Sequence, residues 1–169
     1  MGTAIVVMGV SGSGKSTIAA LLASTLNLKF IDADSLHPQS NRNKMAAGIP
    51  LRDADRAPWL DAVATVLAAG GVVVACSALR RRYRDRLRLA APDLQLLYLQ
   101  GDAALLAERV AARHHEFMPA GLLDSQLEAL EPPAAFERAI VADIGAAPAD
   151  IVRNAADQLR QGDRLDPER

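Results

Sequence analysis

A single cysteine, Cys76, stands in 169 residues, so an internal disulfide is excluded. No Cys/His grouping has the spacing of a metal cluster. The formal charge of −1 gives no reason to invoke nucleic acid or an anionic membrane as partner. Apolar stretches are strand-length or interrupted, too short to span a bilayer. Strand-like residues begin almost at once after Met1, so no signal peptide is expected. A cytoplasmic location is the expectation. Repeats and low-complexity linkers are missing too. Lysine is scarce, confined to Lys15, Lys29 and Lys44, and the other cations are arginines.

What the chain does have is hydrophobic mass, half of all residues, enough for one packed domain. We place that domain at 1–162 and a polar tail at 163–169. Strand-like runs at about 3–8, 29–32, 72–76, 94–99 and 139–144 alternate with helix-like runs. The helices are read at 15–26, 40–48, 54–69, 80–91, 102–113, 123–130 and 148–161. Such alternation predicts an α/β fold: three α/β/α layers round a parallel five-stranded sheet. The stretch 114–121 breaks the pattern with two His, an acid, Phe, Met, Pro and Gly. It reads as a mobile lid over about 114–125, with an ordinary surface loop as the plain alternative.

The most specific motif follows the first strand. Gly9-Val10-Ser11-Gly12-Ser13-Gly14-Lys15-Ser16-Thr17 is a complete phosphate-binding loop, lying between an apolar strand and a helix. That context sets it apart from a chance glycine turn. Backbone N–H groups from Gly9 through Thr17 converge on one point and cradle the phosphates of ATP. Lys15 reaches the β- and γ-phosphates, and the Ser16 hydroxyl completes an octahedral Mg²⁺ shell.

Asp32 and Asp34 come at the carboxyl end of the second strand, the edge where open α/β sheets bind ligands. Alternation along an extended segment sets both carboxylates on one side. Asp32 is the candidate for Mg²⁺, directly or through water. Asp34 is the candidate to orient the attacking hydroxyl and accept its proton. Solvated turn acids are the alternative.

From His37 to Trp59 runs a segment suited to cover an acceptor substrate. Lys44 and Arg56 are cations suited to a carboxylate or phosphate. Asp53 reads as a helix N-cap. For His37 a satisfied structural histidine is the alternative, and Trp59 at helical spacing reads as core. Ser77 takes the tip of the third strand and a helix N-cap, facing substrate. In the arginine-rich run that follows, Arg80, Arg84 and Arg88 share one helix face, and Arg84 is the one expected to turn to the cleft. Cys76 reads as a small buried hydrophobe. Arg109 and Arg113, four apart, share a face leading into the lid and could neutralise charge on the moving phosphoryl group. Surface arginines are the alternative for both.

Taken in order, the phosphate loop, Asp32-x-Asp34, Leu36-His37-Pro38, Asn41, Lys44-Met45, Asp53-x-Asp55-Arg56-x-Pro58-Trp59-Leu60, Cys76-Ser77-Ala78-Leu79 and Tyr83-Arg84-Asp85-x-Leu87-Arg88 resemble the thermoresistant-type gluconokinase family. The resemblance continues through Tyr98-Leu99-x-Gly101 and Arg109 to Phe117. It implies a fold like that of shikimate and nucleoside monophosphate kinases, with a mobile lid. It also implies ATP- and Mg²⁺-dependent phosphorylation of D-gluconate at its 6-hydroxyl, feeding the pentose phosphate and Entner–Doudoroff routes, and a homodimer. Lys44, Arg56 or Arg84 would take the carboxylate, and Asp34, His37 and Ser77 would read the hydroxyls. Other readings compete, among them two with a clear discriminator. A kinase for shikimate would carry a glycine run where Ser77-Ala78 stands, and a nucleotide switch would leave Asp34 without a role.

Overall fold

The computed structural model describes residues 2–113 and 120–165. Its five strands are β1 (Ala4–Met8), β2 (Lys29–Asp32), β3 (Val72–Ala75), β4 (Gln95–Gln100) and β5 (Ile140–Asp143). All pair in parallel, in the order β2-β3-β1-β4-β5. Seven helices connect and cover them: α1 (Lys15–Leu26), α2 (Gln39–Ala46), α3 (Asp53–Ala69), α4 (Arg81–Ala90), α5 (Ala103–Ala112), α6 (Ala120–Ala129) and α7 (Pro148–Leu165).

The central strand explains the layering. Every residue of β1 is buried. Ile5 and Val7 pack with Leu22 of α1 and with Ile151, Val152 and Ala155 of α7. Ala4, Val6 and Met8 pack instead with Val63 and Leu67 of α3 and Leu87 of α4. Period-two alternation thus feeds two separate cores, which is why the strand reads as one unbroken apolar run. The chain winds from β1 to the β2–β3 side and then crosses to β4 and β5. Ligands in such sheets bind outside the carboxyl ends of the strands where that winding reverses. The phosphate loop, 9–14, leaves β1 at this point.

Each expected strand is present with its ends shifted by at most one residue. Other expectations need correction. Two 3₁₀ turns, Ala33–Leu36 and Ala135–Glu137, had no counterpart in the sequence reading. The helix bordering the lid region starts at Ala120, so residues 120–125 belong to α6, and 114–119 lie outside the described residues. The tail placed at 163–169 is helical as far as Leu165.

Candidate active site

Two glycines shape the phosphate loop. Gly12 has φ 81, and a Cβ there would stand 3.0 Å from Val110 Cγ2 and 3.2 Å from the Leu106 carbonyl of α5. Gly14, with φ 90, has no heavy atom within 4 Å of where its Cβ would sit. The first lets α5 close against the loop, and the second leaves the cradle open at the amino end of α1. The Ser13 hydroxyl is buried and has no hydrogen-bond partner in the described structure. An orphaned buried donor in this position fits a phosphate-oxygen acceptor. Half-buried Lys15 donates its Nζ to the Val10 carbonyl at 3.1 Å. Burial pushes its pKa below the usual lysine range, against the opposing charge of Asp34 and, more weakly, Asp32. Phosphate oxygens would reverse that. The Ser11 N–H donates to Gln126 Oε1 of α6 at 2.7 Å, and Thr17 is exposed on the first turn of α1.

At the end of β2 the backbone leaves the extended path that alternation assumes, yet the charges of both acids act on Lys15. Asp32 accepts the Ser16 hydroxyl at Oδ2, 2.9 Å, and the Asp34 N–H at Oδ1, 3.0 Å. It therefore caps the 3₁₀ turn Ala33–Leu36. That turn replaces the extended geometry on which the same-side expectation rested. Ser16 and Asp32 together offer hard oxygen donors of the kind Mg²⁺ takes, so the pair fits a bound magnesium. Asp34 is exposed, and its charge acts on both Lys15 and Cys76. A carboxylate thus lies within electrostatic reach of the lysine of the phosphate loop.

Next to the 3₁₀ turn stand His37 and Trp59. Their rings stack, centroids 4.4 Å apart and 10° from parallel. The indole N–H donates to the Ala33 carbonyl at 2.7 Å. Asn41 Nδ2 sits 3.2 Å from His37 Nδ1 and donates to the Asp55 carbonyl at 2.8 Å. The amide donor facing Nδ1 leaves the ring proton on Nε2. Burial first, then the charges of Arg42 and Arg56, lower the His37 pKa to about 4. His37 is thus a neutral, oriented donor. Trp59 is core and stacking partner at once.

Lys44 pairs with Asp55 at 2.7 Å, and Arg56 Nη1 donates to the Leu51 carbonyl at 2.7 Å. Asp53 is not the N-cap of α3: it is the first helical residue, and it accepts from the Tyr83 hydroxyl (2.7 Å) and Arg82 (2.5 Å). The cap N–H, that of Arg52, goes to Asp55 Oδ2 instead.

The β3–α4 loop brings two further corrections. Ser77 is half-buried at the strand tip, but Arg80 is the N-cap of α4. Arg84 does not turn to the cleft. Its side chain is fully buried, forked on Glu137 at 2.8 and 2.9 Å, with Nη1 on the carbonyls of Ala78 and Leu79. Few of its donors remain for a substrate carboxylate. Arg88 joins the same carboxylate at 2.9 Å, as the shared helix face predicts. Burial raises the Glu137 pKa, yet bonds from Arg84, Arg88 and the Ala134 N–H outweigh it and hold the group at about 2. Cys76, buried, has its thiol pushed up to about 12 and is inert.

Of the two arginines expected to share a face, Arg109 lies on α5 and sends Nη2 to the Ile144 carbonyl at 2.7 Å, while Arg113 is the C-cap. Ile144 follows β5, two strands and roughly 10 Å from β1. Arg109 still lies beside the phosphate loop, its Cβ 3.7 Å from where a Cβ on Gly12 would stand. Arg113 is exposed, and its charge depresses the Lys15 pKa, so it lies within electrostatic reach of the phosphate loop.

Gln126, Glu131 and Glu137 escaped the sequence reading. Gln126 meets the phosphate loop, Glu131 Oε2 accepts the Arg81 N–H at the start of α4 (2.6 Å), and Glu137 holds Arg84. Their partners lie 50 or more residues away, and only the fold reveals such pairs.

The chain is similar to known proteins in sequence and fold. A family model described as shikimate kinase matches residues 11–153. The thermosensitive gluconokinase of Escherichia coli K12 is 44% identical over 95% of this chain and 87% of its own length. The thermoresistant gluconokinase of the same organism is 40% identical over 93% of each. A crystal structure of a gluconokinase from Sinorhizobium meliloti 1021 superposes with a TM-score of 0.87 at 48% identity, covering 94% of this chain and 92% of that one.

Proposed function

The chain belongs to the shikimate kinase family and, within it, to the gluconokinases, and from that membership we propose that it transfers the γ-phosphoryl group of ATP to the 6-hydroxyl of D-gluconate. One observation carries the residue-level reading: exposed Asp34 stands within electrostatic reach of Lys15 at the mouth of the phosphate loop, beside the His37–Trp59 wall.

ATP is the phosphoryl donor. Backbone N–H groups of residues 9–17 and the Ser13 hydroxyl bind its phosphates, and Lys15 spans the β- and γ-oxygens. Ser16 and Asp32 would hold Mg²⁺, which neutralises charge on those oxygens. Asp34 orients the 6-hydroxyl for in-line attack and takes its proton as the new P–O bond forms and the bond to ADP breaks. Lys44 and Arg56 attract the carboxylate, and His37 Nε2 and Ser77 read hydroxyls along the chain. Sites built to pair hydroxyls reject analogues lacking them by roughly 10⁴ or more. Arg109 and Arg113 add positive charge beside the phosphate loop where the phosphoryl group moves, and Arg109 is steadied by the Ile144 carbonyl.

The segment about 114–125, with the opening turns of α6, serves as a lid that excludes water. A single kinase domain, a homodimer and a cytoplasmic location complete the reading. Among the described residues no helix is long and apolar enough to cross a membrane.

The test couples 6-phosphogluconate formation to NADP⁺ reduction through 6-phosphogluconate dehydrogenase. Turnover is expected with D-gluconate and not with shikimate or nucleoside monophosphates, which are followed by ADP release. Equal ADP release with shikimate would overturn the substrate assignment.

A further inference from the structure

Ala78, buried between β3 and α4, has a left-handed backbone with φ 44. An alanine stays there only when its surroundings hold it. The holding group is Arg84. Its Nη1 donates to the Ala78 carbonyl at 2.9 Å and to the Leu79 carbonyl at 3.2 Å. Its Nε and Nη2 fork on Glu137, and neither side chain has any exposure. Glu137 is itself fixed by Arg88 and by the Ala134 N–H. From another side the Glu131 N–H donates to the same Leu79 carbonyl at 2.8 Å. Phosphoryl transfer uses none of these groups.

The loop so gripped borders the acceptor site. Its first residue, Cys76, lies within reach of the charges of Asp34, Lys15 and Asp32, and Ser77 follows directly. The φ angle of Ala78 sets the plane of the Ser77–Ala78 peptide. Relaxing it to the right-handed or extended region would redirect that peptide, and the Ser77 side chain with it.

We propose that Arg84 and Glu137 are positioning residues for the acceptor. By clamping the carbonyls of Ala78 and Leu79 they keep Ala78 left-handed, which aims Ser77 and its peptide at the hydroxylated acid. The inference rests on the gluconate reading of the cleft and adds the element that sets its geometry. A buried ion pair serving only the core would give stability without distinguishing the two substrates.

The experiment uses Arg84→Lys, whose single ammonium group cannot reach both the carboxylate and two carbonyls. Wild-type turnover is measured first. Inactivity with gluconate would sink the substrate reading alone, and the comparison then proceeds with whichever hydroxy acid the wild type phosphorylates. The KM for that acid is expected to rise about tenfold or more in Arg84→Lys, while the KM for ATP moves less than about twofold. Adding Ala78→Gly supplies a residue that adopts positive φ at no steric cost, and the acid KM should fall back by about threefold or more. A purely structural pair would show no such rescue. Equal changes in both KM values, no change in either, or no recovery when Ala78→Gly is added would overturn the proposal. If circular dichroism shows Arg84→Lys unfolded, Glu137→Gln takes its place in the same series.

Discussion

The Ser16 hydroxyl donates to Asp32 Oδ2 across 2.9 Å, joining the first turn of α1 to the end of β2. β3 lies between β1 and β2 in the sheet, so this contact ties the phosphate loop to the acceptor side over an intervening strand. If the pair holds magnesium, Asp32→Asn should raise the Mg²⁺ concentration for half-maximal activity by about tenfold or more. The measurement is a metal titration at saturating ATP and gluconate. An unchanged curve would remove Asp32 from the metal site.

Asp34→Asn tests the base. The amide keeps the shape but cannot take a proton, so kcat should fall by roughly 10²–10⁴. Nucleotide affinity, read by calorimetry, should change little. Full turnover would mean that Asp34 neither orients nor deprotonates the acceptor.

His37 makes a pH signature. Its folded pKa of about 4 lies below the ordinary 6.5, so between these values the unfolded chain binds a proton that the folded chain does not. Stability from this group is whole above pH 6.5 and declines as pH falls toward 4. With solvent screening allowed for, the loss between pH 7 and pH 5 is about 1–2 kcal/mol. Urea midpoints at the two pH values should show it in the wild type, and His37→Gln should remove most of the difference. An equal difference in both proteins would refute the buried neutral histidine.

Gly12→Ala confronts positive φ and the approach of α5 together. We expect a loss of about 1–2 kcal/mol of stability and a raised KM for ATP. A variant with unaltered melting temperature and ATP kinetics would show that α5 does not press on the loop.

How much of this was legible beforehand depends on the range of the interactions. The phosphate loop is contiguous, and its glycines announce their backbone needs, so Lys15 and Ser16 stood out at once. β1 and β3 advertised themselves by burial on both faces. Arg84 is the contrary case: an arginine-rich helix displays several equivalent cations, and nothing local says that one is sunk against an acid 53 residues downstream. Asp32 and Asp34 were found by position, and both charges act on Lys15, but the 3₁₀ turn that Asp32 caps by accepting its neighbour's N–H was not foreseen. Ser77 was credited with a cap three residues too early, since the chain spends Ala78 and Leu79 reaching Arg80 before the helix begins.

β1 offers solvent neither side, and its odd and even positions belong to different layers. Removing one residue from it would swap Val6 and Met8 with Ile5 and Val7 between interiors of unlike shape and draw Gly9 inward by about 3.3 Å. The anchorage of the triphosphate is therefore measured from the molecule's centre outward. Length changes that evolution or an engineer wishes to make belong beyond the far ends of the sheet, where no such yardstick applies.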